Sequence, residues 1–137
     1  METRYAPLVL RIFFGIGFLV AGLDKVLSFS MAKGMFGGLF GSAGTLMLVL
    51  AIVIELVGGL ALVLGYKTRY VAGGLAAFIV VAFVSTFQIG PAANVIGSLR
   101  ELMVMNTGGG NTAVNFAYFG ALLSLVFSGG GVKSMKD

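Results

Sequence analysis

The chain has 137 residues, of which 58% are hydrophobic and only 10% are charged, with a formal net charge of +4. Soluble domains are about 45–50% apolar and about 25% charged, so this composition indicates an integral membrane protein. Cysteine and histidine are absent. Their absence excludes a disulfide, a histidine-ligated haem, a Cys/His zinc site and an iron–sulfur cluster built from this chain alone.

Four apolar segments predict an all-α membrane protein, a bundle of four transmembrane helices in one domain covering residues 1–137. The segments are residues 7–27, 44–65, 70–89 and 112–128. About 20 apolar residues in a helix cross the bilayer core, and the last segment, the shortest, needs its flanks to cross. The third segment ends at Gly90-Pro91, because proline cannot continue a helix.

The segments between these helices differ from one another in pattern. Residues 28–42 are rich in glycine, which predicts a loop with at most a short interfacial turn. Residues 95–105 place apolar side chains on one helix face, and Ser98, Arg100 and Glu101 on the other. That amphipathic pattern is too short to span and predicts an interfacial helix between the third and fourth spans.

The positions of the cations predict the orientation in the plasma membrane. With the amino terminus inside, six cations face the cytoplasm and three face outward; the inner set is Arg4, Arg11, Lys67, Arg69, Lys133 and Lys136. An excess of cations marks the cytoplasmic side, so both termini are expected there. The same distribution explains the net charge by membrane topology, and we expect no nucleic-acid binding.

Two ionisable residues lie inside apolar spans, Arg11 in the first and Glu55 at the middle of the second. A charge at this depth costs at least roughly 2.5–3.5 kcal/mol, so such residues usually face a partner or a cavity. Two interpretations of Arg11 stay open: it pairs with Glu55, or it extends towards lipid phosphates. Glu55 is either a buried hydrogen-bonding group or a contact for the head group of a quinone-like ligand.

Each of these residues belongs to a stripe along one helix face. The spacing is three or four residues, which is the period of a helix. Glycines in the stripes allow neighbouring helices to approach closely. The stripes are Arg11, Gly15, Phe18, Gly22 and Lys25 in the first span, and Glu55, Gly59, Leu62, Tyr66 and Arg69 in and after the second.

Polar residues at the outer ends of three helices predict a pocket. Asp24 and Lys25 end the first helix, Gln88 the third, and Asn115 lies near the outer end of the fourth. Polar helix ends are also common without any function. Together with the two buried charges, the candidate ligand-binding residues are Arg11, Lys25, Glu55, Gln88 and Asn115.

Three motifs resemble those of the DoxX family of membrane proteins. They are R-x3-G-x2-F-x3-G-x2-K from Arg11 to Lys25, E-x2-G-G-L-x-L-x2-G-x2-T-R from Glu55 to Arg69, and a glycine-then-Ser-x-Asp close from Gly129 to Asp137, here with one extra residue before the aspartate. The resemblance implies a four-helix membrane protein with respiratory or redox associations. Relatives include a small subunit of an archaeal thiosulfate:quinone oxidoreductase, membrane partners of oxidative-stress enzymes and, more distantly, chaperones or cargo receptors. The thiol-oxidising branches depend on cysteines, which this chain lacks.

The leading hypothesis is a membrane subunit of a redox or respiratory system that binds a quinone or similar lipophilic ligand, with no covalently bound cofactor. Its partners are the bilayer and an oxidoreductase or other membrane subunit, and a homo-oligomer is left open. Whether the chain is itself part of a quinone-linked enzyme also stays open. The alternative is a non-enzymatic assembly, scaffold or chaperone subunit. A small transporter or channel is a third class, which the sequence favours less because four short helices offer little room for a pore unless several copies assemble.

Overall fold

The computed structural model describes residues 5–85, 94–104 and 112–131, and within these ranges the chain is helical without any β-strand. The all-α prediction is therefore confirmed for the described residues. The helices, numbered along the chain, are α1 (Tyr5–Leu27), α2 (Phe29–Phe40), α3 (Gly44–Leu64), α4 (Thr68–Ser85), α5 (Val95–Met103) and α6 (Thr112–Ser128), with one 3-10 turn (Gly41–Ala43) before α3.

Three helical stretches are long and apolar enough to cross a bilayer. They are residues Tyr5–Leu27, Phe29–Leu64 and Thr68–Ser85, and α6 is a shorter apolar helix. Large apolar side chains on these helices are exposed outward; examples are Phe13, Val84 and Phe127, each more than 70% exposed. Water does not favour so much exposed apolar surface, whereas lipid covers it at no cost. The protein is therefore embedded in a bilayer.

Helix α1 packs along α3, and the two run antiparallel. The residues buried on α1 are Pro7 and four members of the predicted stripe, Arg11, Gly15, Phe18 and Gly22. At the centre of the contact, a Cβ atom added to Gly59 would lie 2.8 Å from the carbonyl oxygen of Gly15. The absence of side chains here allows the two backbones to touch, as membrane helices often do. The predicted stripe on α1 is thus confirmed as a packing face.

Helices α4 and α6 form a second packed pair beside the first. Their contact is a core of aliphatic residues, to which Phe18 and Leu62 add from α1 and α3; the α4 and α6 members are Ala72, Leu75, Ala76, Ile79, Leu122 and Leu125. Close packing of such side chains supplies most of the attraction between membrane helices, because lipid is as apolar as they are. The bundle therefore consists of two helix pairs joined through one core.

The turn between α3 and α4 is tight and explains where α3 ends and where α4 begins. Gly65 has a φ of 74°, and its N–H donates to the carbonyls of Ala61 and Leu62. A left-handed glycine in this position is a common helix end. Consequently α3 ends at Leu64, one residue before the predicted limit, and α4 begins at Thr68 rather than at residue 70.

The glycine-rich segment of residues 28–42 was predicted as a loop, and that prediction is wrong. Its main part is α2, which packs against α3. A Cβ atom on Gly44 would lie 2.7 Å from backbone atoms of Gly37, so the close approach of α2 and α3 requires that Gly44 has no side chain. A Cβ atom on Gly34, Gly37 or Gly38 would meet no atom of the described residues within 4 Å, so these glycines of α2 are compatible with a helix without being required for its packing. Helix α5 covers residues 95–103 of the predicted 95–105, and α6 has the predicted bounds.

Candidate functional site

An ion pair lies inside the bundle between α1 and α3. The ammonium nitrogen of Lys25 is 2.8 Å from Oε1 of Glu55, and the side chains are 20% and 6% exposed. Gly22 allows α3 to lie close to α1 here, because a Cβ atom at this position would lie 2.8 Å from the side chain of Leu56, the neighbour of Glu55. Charges buried in this way are paired, so Lys25 and Glu55 form a unit without net charge.

The antiparallel packing explains why these two side chains meet. In an α-helix the Cα–Cβ bonds tilt towards the amino terminus. Lys25 therefore leans back along α1, and Glu55 leans along α3 in the opposite direction, so the two converge. Arg11 leans away from Glu55 for the same reason.

Arg11 is buried at the other end of the α1–α3 contact. Its Nε donates to the carbonyl of Gly130 at 2.9 Å, and its NH1 nitrogen donates to the carbonyls of Val63 at 2.7 Å and Leu62 at 3.3 Å. These last carbonyls of α3 carry the negative end of the helix dipole, which a guanidinium stabilises. The predicted pairing of Arg11 with Glu55 is wrong, since Arg11 binds about two turns farther along α3. The alternative, contact with lipid phosphates, does not fit its burial either: Arg11 is 1% exposed.

The ion pair borders a cavity of about 560 Å³ between the helices. Its polar lining groups are Lys25, Glu55, Ser85, Asn115 and Tyr118, contributed by four helices. The rest of the lining is apolar, including Phe18 and Phe78. A concave apolar space with a few convergent polar groups is the usual form of a small-molecule site.

Helix α2 forms one wall of this cavity. Four of its side chains, Met35, Phe36, Leu39 and Phe40, line the space. The rings of Phe36 and Phe40 are 5.9 Å apart, and the unbranched Met35 adapts its shape easily to a neighbour. The segment predicted as a loop therefore supplies a large part of the candidate site.

Tyr118 is a lining residue that the sequence did not single out. Its ring contacts the edges of two α1 aromatics, Phe14 at 4.8 Å and Phe18 at 5.3 Å between centroids. A methyl group at Gly17 would overlap with the Tyr118 hydroxyl, so that hydroxyl lies against the α1 backbone. Its position three residues after Asn115, on the same helix face, was the available signal.

The structure brings together three of the five predicted ligand-binding residues, Lys25, Glu55 and Asn115, around one cavity. Arg11 does not line it, and Gln88 lies outside the described residues. Asp24, predicted beside Lys25, is exposed and also does not line the cavity. Of the predicted polar helix ends, Lys25 and Asn115 line the cavity, Asp24 does not, and Gln88 is not described.

Comparison with known proteins gives one result. The family model described as DoxX matches residues 6–88, which contain α1 to α4. The match includes Lys25, Glu55 and Ser85 and leaves Asn115 and Tyr118 beyond its limit. No curated protein and no solved structure matches the chain.

Proposed function

This chain belongs to the DoxX family of membrane proteins, and from that premise we propose that it binds a quinone or similar lipophilic ligand within the bilayer and acts with a partner oxidoreductase. The observation that supports this most is the Lys25–Glu55 pair at the edge of an otherwise apolar cavity. Lipophilic redox carriers combine a polar head group with a hydrocarbon tail. The cavity offers matching surfaces to both parts.

The lining residues divide the binding task between them. The Lys25 ammonium donates a hydrogen bond to one carbonyl oxygen of the head group. The side-chain amide of Asn115, which lines the same cavity, donates to the second oxygen. Aromatic side chains such as Phe18, Phe36 and Phe78 contact the ring faces and edges. The hydrocarbon tail needs only apolar surroundings, which both the remaining wall and the bilayer supply.

Reduction of a quinone consumes two electrons and two protons and yields the hydroquinone. The chain has no cysteine or histidine, so we propose that the electrons arrive from a partner oxidoreductase. Lys25 and Tyr118 carry exchangeable protons beside the cavity, and Glu55 takes up a proton and passes it on towards the ligand. The role of this chain is then to hold the ligand and its protons while the partner supplies the electrons.

The membrane arrangement that goes with this function has four crossings, with α6 as the fourth and α5 at the interface. Exposed apolar residues on α5 support this, since Val95 and Ile96 are each 73% exposed. Asn94 caps that helix by accepting from the N–H of Gly97 at 2.8 Å, so its start is well defined. Both termini are placed on the cytoplasmic side of the plasma membrane, as the cation count predicts.

Ligand binding by the purified protein tests the proposal. Protein in lipid nanodiscs is titrated with a decyl benzoquinone, and we expect saturable binding. The double variant Lys25→Gln/Glu55→Gln removes both charges and leaves neither one orphaned, so it should fold and bind about tenfold more weakly. Lys33→Gln removes an exposed cation of α2 outside the cavity and should bind as the unchanged protein does. Absence of saturable binding would refute the proposal and favour an assembly or scaffold role.

A further inference from the structure

We propose that Gly74 determines which head groups the cavity accepts: the space left by its missing side chain admits a ring that carries an acceptor oxygen, and the Lys25 ammonium binds that oxygen. The inference rests on the proposed function, because it concerns the same cavity. It names the chemical class of the ligand, an uncharged cyclic molecule with an acceptor oxygen that is dissolved in the bilayer.

Gly74 is a glycine that the packing of α4 does not require. A Cβ atom there would meet no atom of the described residues within 4 Å, whereas a Cβ atom on Gly58 or Gly59 would lie 2.8 Å from a neighbouring helix. Gly74 lies inside α4, and glycine is the least favourable residue in a helix interior apart from proline. Because Gly74 lines the cavity, its missing side chain enlarges the cavity and serves no helix contact.

Gly74 lies close to the level of the buried ion pair. A Cβ atom on Gly58 of α3 would lie 2.8 Å from the side chain of Leu75, and this contact sets the register of α3 against α4. Glu55 is about one helical turn before Gly58, and α4 runs back along α3 after the tight turn. The ion pair is therefore level with the α4 turn that follows Gly74.

The cavity opens sideways at this level. Gly74 and Ala77 on α4 and Ile54 on α3 line the cavity and are also exposed at the surface. The surface of α3 and α4 lies in the bilayer, so this opening faces lipid. A ligand therefore enters from the lipid phase, past the two small residues of α4.

Lys25 is the polar group that holds the ligand. Its ammonium donates to Glu55 Oε1 at 2.8 Å, and an ammonium has three N–H groups. The Lys25 side chain is 20% exposed and lines the cavity, so it can also donate to an acceptor oxygen of the ligand. Because the pair carries no net charge, an uncharged ligand avoids placing an uncompensated charge in an apolar interior.

Aromatic side chains border the space beside Gly74. Phe78 lies one turn farther along α4, and the rings of Phe18 and Tyr118, 5.3 Å apart, line the same cavity. Aromatic rings pack favourably against one another in offset or edge-to-face arrangements. A ring beside Gly74 thus gains more contact than an open chain does.

Two ketones and one substitution test the inference. Decanophenone and methyl nonyl ketone share the carbonyl and the nonyl chain, and they differ only in a phenyl ring against a methyl group. Gly74→Leu places a side chain in the space assigned to the ring. In nanodisc titrations corrected with empty nanodiscs, the variant should bind decanophenone at least about tenfold more weakly than the unchanged protein does. It should keep its affinity for methyl nonyl ketone.

Gly120→Leu is the matched control. Gly120 is also an exposed glycine inside a helix, and a Cβ atom there meets no atom of the described residues within 4 Å, but it does not line the cavity. This variant should keep both affinities. Leucine is a better helix former than glycine, so neither variant should melt below the unchanged protein, and a lower melting temperature of Gly74→Leu would contradict the open space.

The remaining outcomes separate this inference from the proposed function. An unchanged decanophenone affinity in Gly74→Leu, an equal loss for both ketones, or an equal loss in Gly120→Leu would overturn the inference and leave the proposed function standing. Binding of the decyl benzoquinone but of neither ketone to the unchanged protein would do the same. Failure of all three molecules to bind would remove both.

Discussion

At the scale of single residues, Arg11 and Glu55 have separate tasks although both are buried charges. Arg11 holds two carbonyls at the end of α3 and one beyond α6, and it does not border the cavity. Glu55 borders the cavity and pairs with Lys25. The first residue therefore serves the fold, and the second serves the site.

Replacement of Arg11 should lower stability without changing the site. Arg11→Met removes the hydrogen bonds to Leu62, Val63 and Gly130 and leaves these carbonyls without a charged donor, a loss of about 3 kcal/mol. The stability of Arg11→Lys should lie between that of the unchanged protein and that of Arg11→Met, because an ammonium keeps the charge but lacks the planar fork of a guanidinium. Thermal unfolding in detergent, followed by far-UV circular dichroism, measures the loss. Arg69→Met removes an exposed cation and is the control, and an equal effect there would contradict the assignment.

The sequence identified both buried charges, but neither of the two interpretations left open for Arg11 is right, for a physical reason. Apolar surroundings reveal that a charge is buried, whereas its partner depends on which way the side chain leans. In the antiparallel α1–α3 pair, that direction takes Arg11 towards Val63 and brings Lys25 to Glu55. Tyr118 was missed because a tyrosine among apolar residues carries no pattern of its own.

At the scale of elements, glycine decides where helices touch. The contact of α1 with α3 depends on Gly15 and Gly59, and that of α2 with the start of α3 depends on Gly44. A stripe of glycines inside a long apolar run was correctly predicted as a packing face. Glycines in a shorter, more mixed segment were taken for a loop, because local composition cannot distinguish a flexible glycine from one against another backbone.

The α1–α3 contact should be sensitive to a single methyl group. In Gly59→Ala the new Cβ would lie 2.8 Å from the carbonyl of Gly15, which forces the helices apart and should cost about 1–3 kcal/mol. Gly120→Ala is the matched control on α6, where a Cβ meets no atom within 4 Å, and it should be neutral or slightly stabilising. The two melting temperatures are compared in the same detergent. Equal values would mean that the close approach is not needed.

At the scale of the whole molecule, two helix pairs and α2 surround one cavity. Residues from α1, α2, α3, α4 and α6 line it. The existence of this cavity could not be predicted from the sequence, because it depends on how five helices pack. Three of its polar lining residues, Lys25, Glu55 and Asn115, could be predicted. The turn at Ser42 and the turn at Lys67 lie at opposite ends of α3.

The orientation is testable at those two turns, since the chain has no native cysteine. The cation count places Lys67 in the cytoplasm and Ser42 outside. In intact cells an impermeant thiol reagent should label Ser42→Cys and should label Lys67→Cys only after the membrane is permeabilised. The reverse pattern would invert the topology, and reaction of both in intact cells would contradict a single orientation.

The hydrogen bond between Arg11 and Gly130 joins positions 119 residues apart. Ribosomes add about 5–20 residues per second, so α1 is made on the order of ten seconds before the carbonyl that its guanidinium binds. Arg11 cannot complete its contacts until α6 has been synthesised and has packed beside α4. A chain interrupted before Gly130 keeps the guanidinium but not that carbonyl. The contact therefore forms only in chains that have been synthesised at least as far as Gly130.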